Sequence, residues 1–320
     1  YFNEFLTNGC PTICMEASSE AFFRHRLDDI KYDIAILTNV TKDHLNIHKT
    51  LENYVNCKKE LFKQVKDSGF SILNSNDLYY EKFKAIAKGH IVTYGYKEDD
   101  TLMIKDYALK RNETIITFKY QNSDYKVTSP LLGSFNVENL AASLLTLLCK
   151  GFSFNEIISR IKDLKQIEGR MEIMPFTNQY TVILDYAHTE DALTNILTFL
   201  NSVKEGKIIT VTGSAGGREK EKRPFMGKVV LEKSDYVIFT MDDPRYEDPN
   251  QIIDDLIGTS KKTNYERIID RKEAIYKALS LAKTKDIILI AGKGRDDYMA
   301  IEDKYLPYND YDVIKSFYEH

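Results

Sequence analysis

The residues able to do chemistry gather in six polar clusters, at 16–20, 38–44, 185–191, 212–223, 242–248 and 292–297. Each follows a short apolar run of strand length, and open α/β sheets bind ligands outside the carboxyl ends of their strands. An ordinary solvated loop explains any one cluster; it explains six in the same relative position less well. Gly213-Ser214-Ala215-Gly216-Gly217 precedes Arg218, Lys220, Lys222 and Arg223, which pairs a turn of closely approachable backbone N–H groups with cations and reads as an anion site. It is not a P-loop, since G-x-x-x-x-G-K-[ST] occurs nowhere, and it also fails G-x-G-x-x-G. Residues 38–44 offer the His44 imidazole and the Asp43 carboxylate beside amide and hydroxyl groups. Together with Glu16 they suit a hard metal such as Mg²⁺, although a structural or exposed histidine fits the same residues.

These clusters need a scaffold of strands alternating with helices, and the hydrophobic pattern supplies one. Strands are expected at 12–16, 33–38, 71–73 and 91–94, with helices at 51–67 and 80–88. From 101 to 129 the pattern changes to period two, broken at 111–113 and 121–124, which implies antiparallel hairpins appended to the main sheet. Helices follow at 137–148 and 155–164, and a break at Gly169-Arg170 sets the domain boundary. The second half reads as strands at 180–184, 207–211, 236–240 and 286–291, separated by helices near 191–203, 226–232, 249–257 and 272–281. The fold class is therefore α/β: a central, mostly parallel sheet domain with an antiparallel appendage over 1–167, then a Rossmann-like, doubly wound domain over 168–320.

A length of 320 residues accommodates two domains, and a hydrophobic fraction of 43% supports globular cores. No apolar run reaches the roughly 20 residues of a membrane span, and residues 1–9 do not look like a signal peptide. A net charge of −4 gives no general attraction to nucleic acid or anionic lipid. Cys10, Cys14, Cys57 and Cys149 lack zinc-type spacing and read as free thiols in the cytoplasm.

Taken in order, the motifs resemble the Mur ligases, which build the peptide stem of peptidoglycan, and among them the ligases that add the third residue. The resemblance rests on Thr38-Asn39…Asp43-His44-Leu45…His48, Tyr54-x-x-x-Lys58…Leu61-Phe62, Glu16-Ala17-Ser18-Ser19…Arg26 and Gly133-x-Phe135-Asn136-Val137-x-Asn139. It continues through Gly169-Arg170-Met171-Glu172, Asp185-Tyr186-Ala187-His188-Thr189, Gly216-Gly217-Arg218…Lys222-Arg223-Pro224, Asp242-Asp243-Pro244-Arg245…Glu247-Asp248-Pro249 and Ala291-Gly292-Lys293-Gly294. The resemblance implies a cytoplasmic, monomeric, ATP- and Mg²⁺-dependent ligase. Such an enzyme transfers the γ-phosphate to a carboxylate of UDP-MurNAc-L-Ala-D-Glu, and the amine of a diamino acid then attacks the acyl phosphate.

The resemblance also implies residue roles. Glu16, His44 and a carbamylated Lys58 would hold Mg²⁺; Asn39, Asn136, Arg170, Asp185 and His188 would lie around the nucleotide; Ser18 and Arg26 would contact the UDP-muramoyl dipeptide. Arg218, Asp242, Asp243, Arg245, Gly292 and Asp296 would form the amino-acid pocket, with Arg245 clasping the distal carboxylate of meso-diaminopimelate. Three departures stand out: Asp243 replaces an asparagine, Glu20 stands where Ser-Ser-His is usual, and Gly-Lys-Gly-Arg-Asp replaces Gly-Lys-Gly-His-Glu. The extra charge at Asp243 makes L-lysine or lanthionine the alternative substrate. Folylpolyglutamate- and cyanophycin-type synthetases share the fold, but are not expected to carry the Asp242–Pro249 segment. A non-catalytic relative is the remaining alternative. The resemblance places a P-loop and a UDP-binding domain upstream of Tyr1, so the 320 residues alone are expected not to ligate.

Overall fold

The first residues form two short helices, and the strand expected at 12–16 between them does not form. In this computed structural model, which describes residues 2–41 and 45–319, α1 (Phe2–Thr7) is followed by irregular chain and then α2 (Ser19–Phe23). Residues 12–16 belong to no strand, and each is exposed, so nothing there completes a ladder or covers an apolar face.

The chain divides into two compact units, Tyr1–Met103 with Leu145–Lys150 and Ile104–Leu144 with Gly151–His320. In the first, β1 (Tyr32–Leu37) leads through α3 (Leu45–His48) to α4 (Leu51–Lys63), whose amino end is capped by the Thr50 hydroxyl accepting from Asn53 N at 3.2 Å. The helix expected to run to 67 stops at Lys63, because Val65 opens β2 (Val65–Asn74) by pairing with Tyr32. After α5 (Tyr80–Lys84) comes β3 (His90–Gly95), and β1, β2 and β3 are parallel neighbours. The core of this unit collects Leu37, Val55, Phe62, Leu73 and Phe83.

Strand β4 (Leu102–Leu109) starts parallel to β3 and continues into the second unit, where it is followed by the antiparallel pair β5 (Thr114–Tyr120) and β6 (Ser123–Ser129). The expected hairpin texture is thus met at β5–β6, while β4 joins the parallel set. Helix α6 (Ser134–Cys149) precedes α7 (Phe154–Ile161), which begins with a Ser153–Glu156 capping box.

The larger sheet of the second unit contains β7 (Glu172–Ile173), β8 (Thr181–Asp185), β9 (Ile208–Thr212), β10 (Tyr236–Phe239), β11 (Tyr265–Arg267) and β12 (Ile287–Ala291), in the order β11-β10-β9-β12-β8-β7. Only β7 is antiparallel to its neighbour. The connecting helices are α8 (Glu190–Val203), α9 (Arg223–Lys233), α10 (Pro249–Ile257) and α11 (Arg271–Leu281). Chain progress is in one direction from β8 to β11 and reverses into β12, so right-handed crossovers put α8–α10 on one face and α11 on the other.

The apolar strands divide by parity to match. Ile183, Ile208, Val237, Phe239 and Leu289 join one buried cluster, while Val182, Leu184, Ile209, Val211, Ile238 and Ile288 join another. A hairpin of β13 (Tyr298–Ile301) and β14 (Lys304–Pro307) precedes α12 (Asp310–Tyr318), which packs with α11. Among the described residues, no helix is long and apolar enough to cross a membrane.

Candidate functional site

Parallel pairing puts the carboxyl ends of β8, β9, β10 and β12 at one end of the sheet, and four of the sequence clusters emerge there. Asp185 ends β8 and is buried, its carboxylate accepting from Met171 N and Ala187 N, each at 2.7 Å. Burial pushes its pKa up, against the pull of those two amides and of Arg170. Exposed Arg170 lies over the Tyr186 ring at 4.9 Å, and His188 meets that ring edge-on at 5.1 Å. His188 Nδ1 donates to the Tyr186 carbonyl at 2.7 Å, which orients the ring. Arg170, Asp185 and His188 are thus drawn together, and Tyr186, absent from the expected set, organises them. Asn136, on α6, donates to the Leu132 carbonyl at 2.7 Å.

The turn after β10 meets the turn after β12. Lys293 is buried, and its ammonium lies 2.8 Å from Asp243 Oδ1, 3.8 Å from Asp242 Oδ1 and 3.8 Å from Asp296 Oδ2. The Tyr298 ring is 5.2 Å away. Burial pushes the Asp242 carboxyl up to about 6, offset in part by Arg271 and Lys293. Burial also raises Asp296, which accepts from the Tyr186 hydroxyl at 3.4 Å. Gly292 has φ +119, and a Cβ there would strike Asp242 Oδ2, so both backbone and space select glycine.

Arg245 is half-buried on this turn, and its Nε is enclosed with no hydrogen-bond partner among the described residues. Beneath the turn, the wholly buried Arg271 donates to both carboxylate oxygens of Asp310, at 2.9 and 2.7 Å, and to the Ala291 carbonyl at 3.0 Å. Arg271, Asp310 and Lys293 were not anticipated as site residues. A lysine between two glycines at the end of a wholly apolar strand was the signal available for Lys293.

The glycine-rich segment differs from the simple anion site expected of it. Arg223 turns inward, fully buried, to bond Glu247 at 2.9 Å, Asp255 at 2.8 Å and the Ala215 carbonyl at 3.2 Å, while Lys220 pairs with Glu247 at 3.0 Å. These donors hold the Glu247 carboxyl down at about 2, the Arg223 hydrogen bond leading. Two of the four cations therefore serve internal carboxylates. Arg218 stays exposed, and neighbouring Gly217 abuts the Arg245 side chain.

In the first unit, Asn39 is exposed just beyond β1, on a loop held by Asn74, which donates to the Thr38 carbonyl at 2.8 Å, and by Asp77, which accepts from Val40 N at 2.6 Å. Ser18 caps α2, accepting from Ala21 N at 3.2 Å; Glu16 and Arg26 flank it on exposed chain. Lys58 lies over the Tyr54 ring at 5.2 Å. His48 is buried against Phe23 and Tyr54, with Nε2 3.0 Å from Ser19 Oγ. His44 lies outside the described residues.

The fold and this set of converging turns define a two-part α/β protein with an ionic pocket at the strand ends of its Rossmann-like sheet. Residues 1–147 match the Mur ligase middle domain and residues 169–294 the Mur ligase, glutamate ligase domain. The chain belongs to the Mur ligase family. It is similar to the UDP-N-acetylmuramoyl-L-alanyl-D-glutamate–2,6-diaminopimelate ligases of Bacillus cereus and Fusobacterium nucleatum, each 38% identical over 98% of this chain and 65% of the relative. A solved structure of a ligase of that name is 32% identical, with a TM-score of 0.63 over 95% of this chain and 63% of the other. The MurF ligase of Thermotoga maritima in complex with ADP shares the fold at 19% identity, TM-score 0.70, over 95% of this chain and 65% of that one. The chain spans about 65% of the length of the curated relatives it matches.

Proposed function

We propose that the protein is the ATP-dependent ligase that joins meso-diaminopimelate to UDP-MurNAc-L-Ala-D-Glu, acting as a cytoplasmic monomer whose family domains divide at 167/168. The observation that carries this reading is the meeting of the turns after β10 and β12, which gathers Asp242, Asp243 and Asp296 around Lys293 and carries Arg245, whose enclosed Nε has no partner among the described residues. A guanidinium can take a carboxylate through two hydrogen bonds, and the neighbouring carboxylates suit an ammonium, so the pocket complements a diamino diacid. Arg218 adds a second cation for the same carboxylate.

In this reading Asn39, Asn136, Arg170, Asp185 and His188 orient the nucleotide, and Ser18 and Arg26 hold the UDP-linked dipeptide. The substrate carboxylate forms a bond to the γ-phosphorus as ADP leaves; the amine then bonds the acyl carbon as phosphate leaves, giving the amide. Mg²⁺, when bound, supplies charge neutralisation at the phosphates. In this reading its donors would be Glu16, a carbamylated Lys58 and His44, the last lying outside the described residues.

The ground for preferring L-lysine or lanthionine was the Asp243 charge, and that carboxylate is directed at Lys293. The test is amino-acid-dependent phosphate release by the full-length protein. Turnover is expected with meso-diaminopimelate and at least about tenfold less with L-lysine, the lower end of what a charged hydrogen-bond pair contributes. Turnover with L-lysine alone sinks the substrate assignment; none with any amino acid supports a non-catalytic relative.

A further inference from the structure

The Gly292-Lys293-Gly294 segment carries a buried ammonium for which the proposed reaction has no direct use. Lys293 does not face solvent, and three carboxylates and one aromatic ring surround its Nζ. Its closest partner, Asp243 Oδ1, also accepts from Ala300 N at 2.9 Å, while Asp243 N donates to Met299 Sδ at 3.2 Å. The next link is backbone: Arg245 N donates to the Ala300 carbonyl at 3.0 Å and Glu302 N to the Arg245 carbonyl at 2.8 Å. Asp243 and Arg245 both have positive φ, +43° and +53°, a conformation costly for residues with side chains unless their surroundings impose it. Three anchors hold it here: the edge of β13, the Lys293 ammonium, and Gly216 N, which donates to the Asp243 carbonyl at 2.9 Å.

We infer that Lys293 is a positioning residue for the amino-acid pocket: its contact with Asp243 fixes the turn from Asp242 to Arg245 and so aims the Arg245 guanidinium. This deepens the proposed ligase function and rests on it. The aspartate at 243 then has a physical reason, since a carboxylate both accepts from the buried ammonium and neutralises it, whereas an asparagine amide would only accept. It also follows that the Asp243 carboxylate serves the turn, and that Asp242 and Asp296 are the carboxylates left for a substrate ammonium.

Removing Lys293 alone would leave buried carboxylates uncompensated and could unfold the chain. Lys293→Met is therefore paired with Asp243→Asn, which keeps an acceptor for Ala300 N and removes the nearest of the three carboxylate charges, while Asp242 keeps the field of Arg271. In the full-length protein this double variant should raise KM for meso-diaminopimelate about tenfold, with kcat and KM for ATP within about twofold, the pattern of lost ground-state positioning. Arg245→Ala should raise the same KM at least as much. The triple variant should be within about twofold of Arg245→Ala alone, because residues acting through one contact are not additive.

Multiplying effects, or equal losses in kcat and in KM for ATP, would overturn the inference, as would a double variant that folds and keeps the wild-type KM. A wild-type protein that ligates no diamino acid would instead remove the function on which the inference rests.

Discussion

Asp242 lies where the turns after β10 and β12 meet, and burial lifts its pKa from the ordinary 3.8 to about 6. Lys293 and Asp243 from the two turns, Arg271 from α11 and Asp310 from α12 set its field. Between about pH 4 and pH 6 the folded protein keeps a proton that the unfolded chain has released, so this group's contribution to stability falls as pH rises through that window and is fully lost above it. Asp242→Asn cannot ionise, so its stability relative to wild type should improve by about 3 kcal/mol, as an order of magnitude, between pH 4 and 7.5. Denaturant unfolding at the two pH values measures this, and a difference that does not change with pH rejects it. Asp242, Asp243, Gly292 and Asp296 were legible in the sequence because they lie in short motifs at strand ends. Lys293 and the Arg271–Asp310 pair were not, since whether a charge is buried depends on partners far along the chain, 39 residues apart for Arg271 and Asp310.

Helices α9 and α10 pack closely, and Gly227 lies at their contact. A mid-helix glycine normally gains about 1 kcal/mol on replacement by alanine. Here a Cβ would fall on the Leu256 carbonyl oxygen, far inside van der Waals contact, and a backbone atom cannot swing aside. Gly227→Ala should therefore reverse the usual sign and destabilise by about 1–3 kcal/mol, read as a lowered thermal midpoint; a raised midpoint would show that the helices separate freely. The elements themselves divide by the strength of their pattern. Strands β8, β9, β10 and β12 were legible as unbroken apolar runs bounded by turn residues, and α8, α10 and α11 as the helical stretches between them. The three-residue β11 and the exposed β14 were not, having too few apolar residues to show a period. The boundary of α4 and β2 was misplaced because residues 64–68 carry no breaker; pairing of Val65 with Tyr32 decides it. The strand expected at 12–16 failed for the converse reason, its β-rich composition lacking a partner strand.

At the scale of the whole chain, burial is distributed unevenly, and local stability should follow it. Every residue of β9 and of β12 is buried; each strand lies between two others, with a packed cluster on either face. Opening either strand exposes both clusters and breaks ladders on two sides, so its amides can exchange only through an opening close to global unfolding of that unit. Residues 4–16 are exposed throughout, and β1 pairs with β2 and carries only Ala35 and Leu37 as buried side chains. Hydrogen exchange should thus be slowest for Ile208–Thr212 and Ile287–Ala291, slower than for β1 by about a hundredfold, which corresponds to a difference of about 3 kcal/mol in opening free energy. Residues 4–16 should exchange fastest of the described segments. Equal protection in β1 and β9 would mean that the two units open as one. The four strand-end turns inherit their placement from β8, β9, β10 and β12, so a ligand pocket built there rests on the most slowly exchanging part of the molecule, and binding of meso-diaminopimelate should slow exchange in the turn at 242–245 while leaving β9 and β12 unchanged.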